Sequence, residues 1–218
     1  MSMVAGSLSL ARFLDQEAAW PKQGRHILAQ YDEKTVIVYQ AYVPAIAEFA
    51  LQHGYFGGPF SYSRMSWIKP NFLWMMYRSG WGTKPGQERT LAVRLKRSFF
   101  EALLSRAVES TFSAEHHGTR SDWEHAVAGS SVRLQWDPDH DPAGRPLPRR
   151  ALQLGLRDSD LHAFGKTELV EIIDATEFVA NQRQNAVQER WAQLLTPREI
   201  VYLPEDMDIR RRLALSEA

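Results

Sequence analysis

The chain has 218 residues, 26 basic against 26 acidic side chains, no cysteine and 44% hydrophobic residues. That length suits one large domain with a full core; the missing thiols exclude disulfides, thiol catalysis and thiolate metal sites, and fit a reducing, cytoplasmic setting. Balanced charge excludes a basic surface built for a polyanion, so any anion binding belongs to a local patch. No apolar run approaches the ~20 residues that span a bilayer, so no membrane partner is expected.

Residues 1–24 read as a lead-in with a short helix over 8–19, ending at Trp20-Pro21. Residues 25–30 and 36–41 predict two strands around the turn Asp32-Glu33-Lys34, a hairpin suggested by the β-branched run Thr35-Val36-Ile37-Val38. Pro44 opens a helix in which Ile46, Ala47, Phe49, Ala50 and His53 keep helical spacing, and Gly54 ends it. Past the Gly57-Gly58-Pro59 loop, residues 70–79 predict a helix that is apolar nearly all round, hence largely buried, with Gly80 as its stop. Residues 81–88 form a loop with Lys84 near its middle, 90–95 a strand and 99–108 an amphipathic helix, while 111–130 look polar and irregular.

Period-two alternation marks strands at 132–136 and around Leu152, Leu154 and Leu156, which should pair antiparallel. Between them, residues 137–148 carry four prolines and a glycine and predict a long loop. Residues 172–175 give a last strand. Thr176 then caps a long helix with Val179, Ala186, Val187, Trp191, Leu194 and Leu195 on one face. The tail 205–218, with Arg210-Arg211-Arg212, either docks or stays free. This order of elements predicts a single α+β domain over 25–204: a largely antiparallel mixed sheet, from strands near 26, 37, 93, 134, 154 and 173, with packed helices.

The chemistry concentrates in residues 64–84, R-M-S-W-I-K-P-N-F-L-W-M-M-Y-R-S-G-W-G-T-K. No Asp or Glu occurs between Glu48 and Glu88, so Arg64, Lys69, Arg78 and Lys84 have no neutralising neighbour in sequence. Cations hold phosphate and aromatic faces stack on bases, so a nucleotide, NAD or another phosphorylated ligand fits this stretch. The competing account buries Trp74, Met75 and Met76 as core and pairs the cations with distant acids such as Asp137, Glu171 or Asp174. Arg64 and Lys69 lead into the helix, whose first amides could also face an anion; Arg78, at its C-terminal end, complements the dipole. With the strand at 37–42 opposite, the candidate ligand contacts are Tyr39, Gln40, Arg64, Ser66, Trp67, Lys69 and Lys84. A nucleic-acid module using the same cations with exposed tryptophan is the alternative.

The run at 64–84 closely resembles the hallmark of a family of microbial proteins, domain of unknown function 4291. The likeness extends to Arg25, Val38-Tyr39-Gln40-Ala41-Tyr42, Val132-Arg133-Leu134-Gln135-Trp136-Asp137-Pro138, Leu152-Gln153-Leu154-Gly155-Leu156-Arg157 and Ile173-Asp174-Ala175-Thr176. It implies membership without an established activity. A fainter, pattern-level resemblance links Tyr39-Gln40-Ala41-Tyr42 and the following helix to the first strand–helix unit of ADP-ribosyltransferases. It implies Gln40 where many of them have His, Ser66 as the second-strand serine, and Glu168 or Glu171 as the glutamate that acts on the ribose. The histidines at 116, 117 and 125 lack metal-ligand spacing and read as a solvated loop. No G-x-S-x-G, P-loop or G-x-G-x-x-G is present.

Overall fold

Two strands, β1 (Met3–Ala5) and β2 (Leu8–Arg12), and a helix, α1 (Phe13–Ala19), begin the computed structural model, which describes residues 3–5 and 8–216. The expected helix over 8–19 is thus half strand. Leu8 and Leu10 alternate inward at period two, and the helix starts only at Phe13. Strands β3 (Gly24–Arg25), β4 (Ile27–Ala29) and β5 (Thr35–Tyr42) follow, then helix α2 (Pro44–His53), with Pro44 in its first turn and Gly54 left-handed at its end. Strand β6 (Ser66–Ile68) and helix α3 (Phe72–Ser79) carry the basic and aromatic window.

Next come β7 (Arg89–Lys96), α4 (Arg97–Arg106) and β8 (Val108–Glu109). The stretch expected to be irregular holds two helices, α5 (Ala114–His117) and α6 (Arg120–Gly129). None of the side chains of α6 is fully buried, so it has no apolar stripe for a periodicity argument to detect; Thr119 caps it, and Trp123 Nε1 donates to the Glu109 carbonyl at 2.8 Å. The side chains of Glu115 and His116 lie outside the described residues.

Strands β9 (Val132–His140) and β10 (Pro146–Leu156) pair antiparallel, as the alternation requires. They run much further into the proline-rich segment than expected, leaving a connection of only five residues. Pro138 stays within the ladder opposite Arg150, and the register shifts between Pro146 and Arg150, an irregularity that accommodates prolines in a strand. Helix α7 (Asp158–His162), strand β11 (Leu169–Asp174) and helix α8 (Thr176–Arg183) complete the middle of the chain. The long helix expected after Thr176 stops at Arg183. Residues 188–193 form a 3₁₀ turn instead, because Leu195–Pro197 is committed as strand β12 against β2. Strand β13 (Ile200–Tyr202) pairs with β4, and helix α9 (Met207–Arg212) docks through buried Ile209 and Leu213. That β13–β4 pairing replaces most of the expected hairpin, of which one bridge, Tyr31 with Val36, remains.

The sheet is mixed and mainly antiparallel, as expected. One ladder runs β11-β7-β5, the other β8-β9-β10 with β6 and β3 along the outer edge of β10. A single antiparallel bridge, Tyr39 with Lys69, joins the two into a curled surface. Strand β5 reads as a continuous apolar run because both its faces are buried. Val36 and Val38 enter a core with α2 and α4, whereas Ile37 and Tyr39 enter a second core with α1, α3 and α8. Among the described residues no helix is long and apolar enough to cross a membrane.

Candidate functional site

The two ladders part immediately after Tyr39 and Lys69. The Tyr39 amide donates to the Lys69 carbonyl at 2.7 Å and the Lys69 amide to the Tyr39 carbonyl at 3.3 Å. Two residues further along, Ala41 and Trp67 would form the next bonded pair of a regular ladder. No such bond forms between them. The side chain of Gln40 occupies the gap, its amide donating to the Trp67 carbonyl at 3.2 Å and to Ser66 Oγ at 2.7 Å, while the Tyr42 hydroxyl donates to Gln40 Oε1. A ladder bond is replaced by a side-chain clamp.

Below this opening lies a cavity of about 480 Å³ between the sheet and α3, of the size that takes a small-molecule ligand. Gln40, Ala41 and Tyr42 line it from β5; Ser66, Trp67 and Lys69 from β6 and the residue after it; Trp74, Met75 and Arg78 from α3; Gln135 and Gln153 from β9 and β10. The two strand glutamines face each other across the ladder, Gln153 Nε2 donating to Gln135 Oε1 at 2.8 Å and to Asp137 Oδ2 at 2.6 Å. On the same face, Gly155 sits opposite Trp67. A β-carbon there would stand 2.6 Å from Met65 Sδ and 3.0 Å from the Trp67 ring, so the indole lies on the strand only because residue 155 has no side chain.

Helix α3 is placed from both ends. Asn71 Oδ1 accepts the Trp74 amide at 2.7 Å, and Glu199 Oε1, from the far end of the chain, accepts the Phe72 amide at 2.7 Å. The first amides of this helix are therefore already occupied, which corrects the expectation that they face an anion. Glu199 is itself held by its neighbours: its backbone amide donates to Gln16 Oε1 and its carbonyl accepts Trp20 Nε1. Burial pushes its carboxyl well above the usual range. At the other end, Lys84 Nζ donates to the carbonyls of Tyr77 and Arg78 at 3.2 and 2.9 Å. Arg78 lies in the last turn, as expected of a dipole-complementing cation, and Lys84 joins it there.

The structure therefore brings together Gln40, Ser66, Trp67 and Lys69 and leaves three candidates outside the cavity. Tyr39 is fully buried in the second core, its ring edge-on to Phe72 with centroids 5.4 Å apart. Arg64 is exposed ahead of β6, and Lys84 caps α3. Arg78, Gln135 and Gln153 join the site. The two glutamines were visible as polar positions of alternating strands, but alternation does not tell a cavity wall from a solvent face.

The distant acids do not neutralise the basic window. Asp174 pairs with Arg89 and Glu171 with Arg94, while Asp137 is held by Gln153. Among the described residues none of Arg64, Lys69, Arg78 or Lys84 forms an ion pair. Lys69 is 5% exposed; its Nζ donates to the Trp67 carbonyl at 3.4 Å and lies 4.9 Å from the Trp74 ring centroid. Burial, helped by the nearby Arg78 cation and opposed by Asp137, brings its pKa down to about 7. Asp137 is pushed above the usual carboxylate range by its own burial. Among the described residues no group of three His, Asp or Glu stands close enough to hold a metal ion.

This is an α+β protein with a basic, amide-lined cavity at the opening of a curled sheet. The chain belongs to the family described as domain of unknown function (DUF4291), whose pattern matches residues 26–202. No curated protein matches it.

Proposed function

We propose that the cavity binds a small anionic ligand of nucleotide type. What supports this reading is one observation: two cations of the acid-free window, Lys69 and Arg78, converge on a cavity whose lining contains no carboxylate. Phosphate oxygens meet Lys69 and Arg78, the Trp67 face offers a stacking surface, and the Gln135 and Gln153 amides meet the polar edges of base or ribose. A small ligand fits better than an RNA or DNA strand, because Trp74 and Trp81 are only 6% and 8% exposed and a strand-binding groove needs open aromatic faces. The cysteine-free composition fits a cytoplasmic setting for such a ligand.

NAD is within this class. The contact between Gln40 and Ser66 on adjacent strands favours it, since these are the two positions that the pattern of ADP-ribosyltransferases marks. Against group transfer, Glu168 and Glu171 are tied to Lys96 and Arg94 and take no part in the cavity lining. Binding is accordingly the proposed function, with ADP-ribosyl transfer as its enzymatic extension.

The test is calorimetric titration with ATP, ADP, NAD and inorganic phosphate. Arg78→Ala should weaken the best ligand by roughly tenfold or more, the loss of one charge-assisted hydrogen bond. Lys84→Ala should leave affinity unchanged. Absence of binding by all four, or full affinity in Arg78→Ala, overturns the reading.

A further inference from the structure

A lysine that is nine-tenths buried normally has a carboxylate partner. Lys69 has none within ion-pair reach among the described residues, and its polar contact is a long one, 3.4 Å to the Trp67 carbonyl. It stands on the wall of a cavity and not inside a sealed core. The aromatic faces of Trp67 and Trp74 and the thioether of Met75 dry its surroundings, and Arg78 adds a positive field. These are the two devices, desolvation and a neighbouring cation, that turn lysine from a solvated ammonium into an amine with a free electron pair.

We infer that Lys69 is a nucleophilic amine, and that the cavity condenses it with the carbonyl group of a small anionic aldehyde or ketone to form an imine. The inference shares the cavity and Arg78 with the nucleotide reading and does not depend on it. The Nζ electron pair attacks the carbonyl carbon; the carbon–nitrogen bond forms as the carbonyl π pair moves onto oxygen, which takes a proton from nitrogen. The hydroxyl of this carbinolamine then leaves as water with the second proton of the nitrogen, and the nitrogen electron pair closes the C=N bond. One amine and one carbonyl give one imine and one water, with no oxidant, reductant or metal required.

Two neighbours complete the arrangement. Arg78, whose guanidinium has no partner among the described residues, anchors the anionic group of the substrate at the cavity edge. Asp137 stands behind Gln153, within the electrostatic reach of Lys69. Burial raises its pKa above the usual carboxylate range, and its field at Lys69 is outweighed by that of Arg78. The near-neutral pKa of Lys69 agrees with the geometry, because about half of the amine is unprotonated near pH 7.

The experiment uses the full chain and pyridoxal 5′-phosphate, an aldehyde that carries a phosphate, with pyridoxal as its uncharged comparator. Borohydride reduction fixes any imine, and peptide mass spectrometry locates it. Lys69 should be labelled well before the exposed Lys22, Lys34, Lys84, Lys96 and Lys166, and its rate should level off above about pH 7, where the amine is already free. Arg78→Ala should remove roughly tenfold of the preference for the phosphorylated aldehyde. Lys69→Met should abolish the fast phase; the native rate–pH profile serves if that variant does not fold. Labelling of exposed lysines ahead of Lys69, or a Lys69 rate that keeps climbing towards pH 10.5, overturns the inference. Failure of nucleotides to bind leaves every one of these readouts intact.

Discussion

Gln40 and Ser66 meet across the line where β5 and β6 part, the amide of one donating to the hydroxyl oxygen of the other at 2.7 Å. The same amide reaches the Trp67 carbonyl, and the buried Tyr42 hydroxyl ends on Gln40 Oε1. One side chain thus closes the polar groups of three others. Gln40→Ala strands them together, and unfolding in denaturant should show a loss of about 1–3 kcal/mol with an unchanged m-value. Gln40→Glu loses the donor and should not restore stability.

Lys69 makes stability depend on pH. Its folded pKa, about 7, lies below the ordinary 10.5. Below pH 7 both states carry the proton, and only the native state bears the cost of burying it. Between 7 and 10.5 the unfolded chain binds more protons, so stability rises with pH; above 10.5 the handicap is gone. Lys69→Met should therefore be more stable than the native protein, by an amount on the order of a few kcal/mol at its largest. Thermal unfolding between about pH 6 and about pH 9.5 should show the gain shrinking as pH rises. A gain that grows with pH contradicts the assignment.

Glu199 has the opposite slope. Its carboxyl is held well above 4.5 by burial, so above that pH the unfolded chain ionises while the native state keeps its proton, and stability falls as pH rises. Glu199→Gln retains an acceptor for the Phe72 amide and removes the titration. Its melting temperature should exceed the native value at neutral pH and converge on it below about 4.5. Glu199→Ala also removes the titration but leaves the Phe72 amide without its acceptor, and should be about 1 kcal/mol less stable than Glu199→Gln.

Gly155 controls the position of Trp67. A β-carbon at 155 collides with Met65 Sδ and the indole, and the sulfur can swing away more easily than the ring. Gly155→Val should cost about 1–3 kcal/mol as overpacking. Ligand affinity should fall while Gly129→Ala, at the exposed end of α6 with open space around its β-carbon, leaves it unchanged; titration of both variants separates the effects.

Much of this architecture could be read from local signals. Pro44 and Gly54 bracket α2, Gly80 ends α3, and β9 and β10 follow their alternation into an antiparallel pair. The misreadings have physical causes. The prolines at 138, 146 and 148 suggested a loop because the sequence does not reveal that the far end of the hairpin tolerates a register shift. Val187 kept helical spacing with Val179 and Trp191 yet is half exposed, since the demand for β12 beside β2 cuts the helix short. In the site, residue type identified the basic and aromatic window, but which cation faces the cavity depends on the turn after α3. There Gly80 and Trp81 are both left-handed, with φ of 59° and 55°, and the chain returns to put Lys84 over the helix end, away from the cavity.

The bond from the Phe72 amide to Glu199 spans 127 positions of the chain. During translation at about 5–20 residues per second, α3 waits roughly 6–25 s for its distant acceptor to be synthesised. The partners of β2 and β4 arrive equally late, since both belong to the segment 195–202. Throughout that interval Phe72, Leu73, Met75 and Met76 lack much of their final cover, so the nascent chain presents a sticky helix to chaperones. A ribosome stalled before residue 199 would display the whole basic and aromatic window without the group that sets its helix.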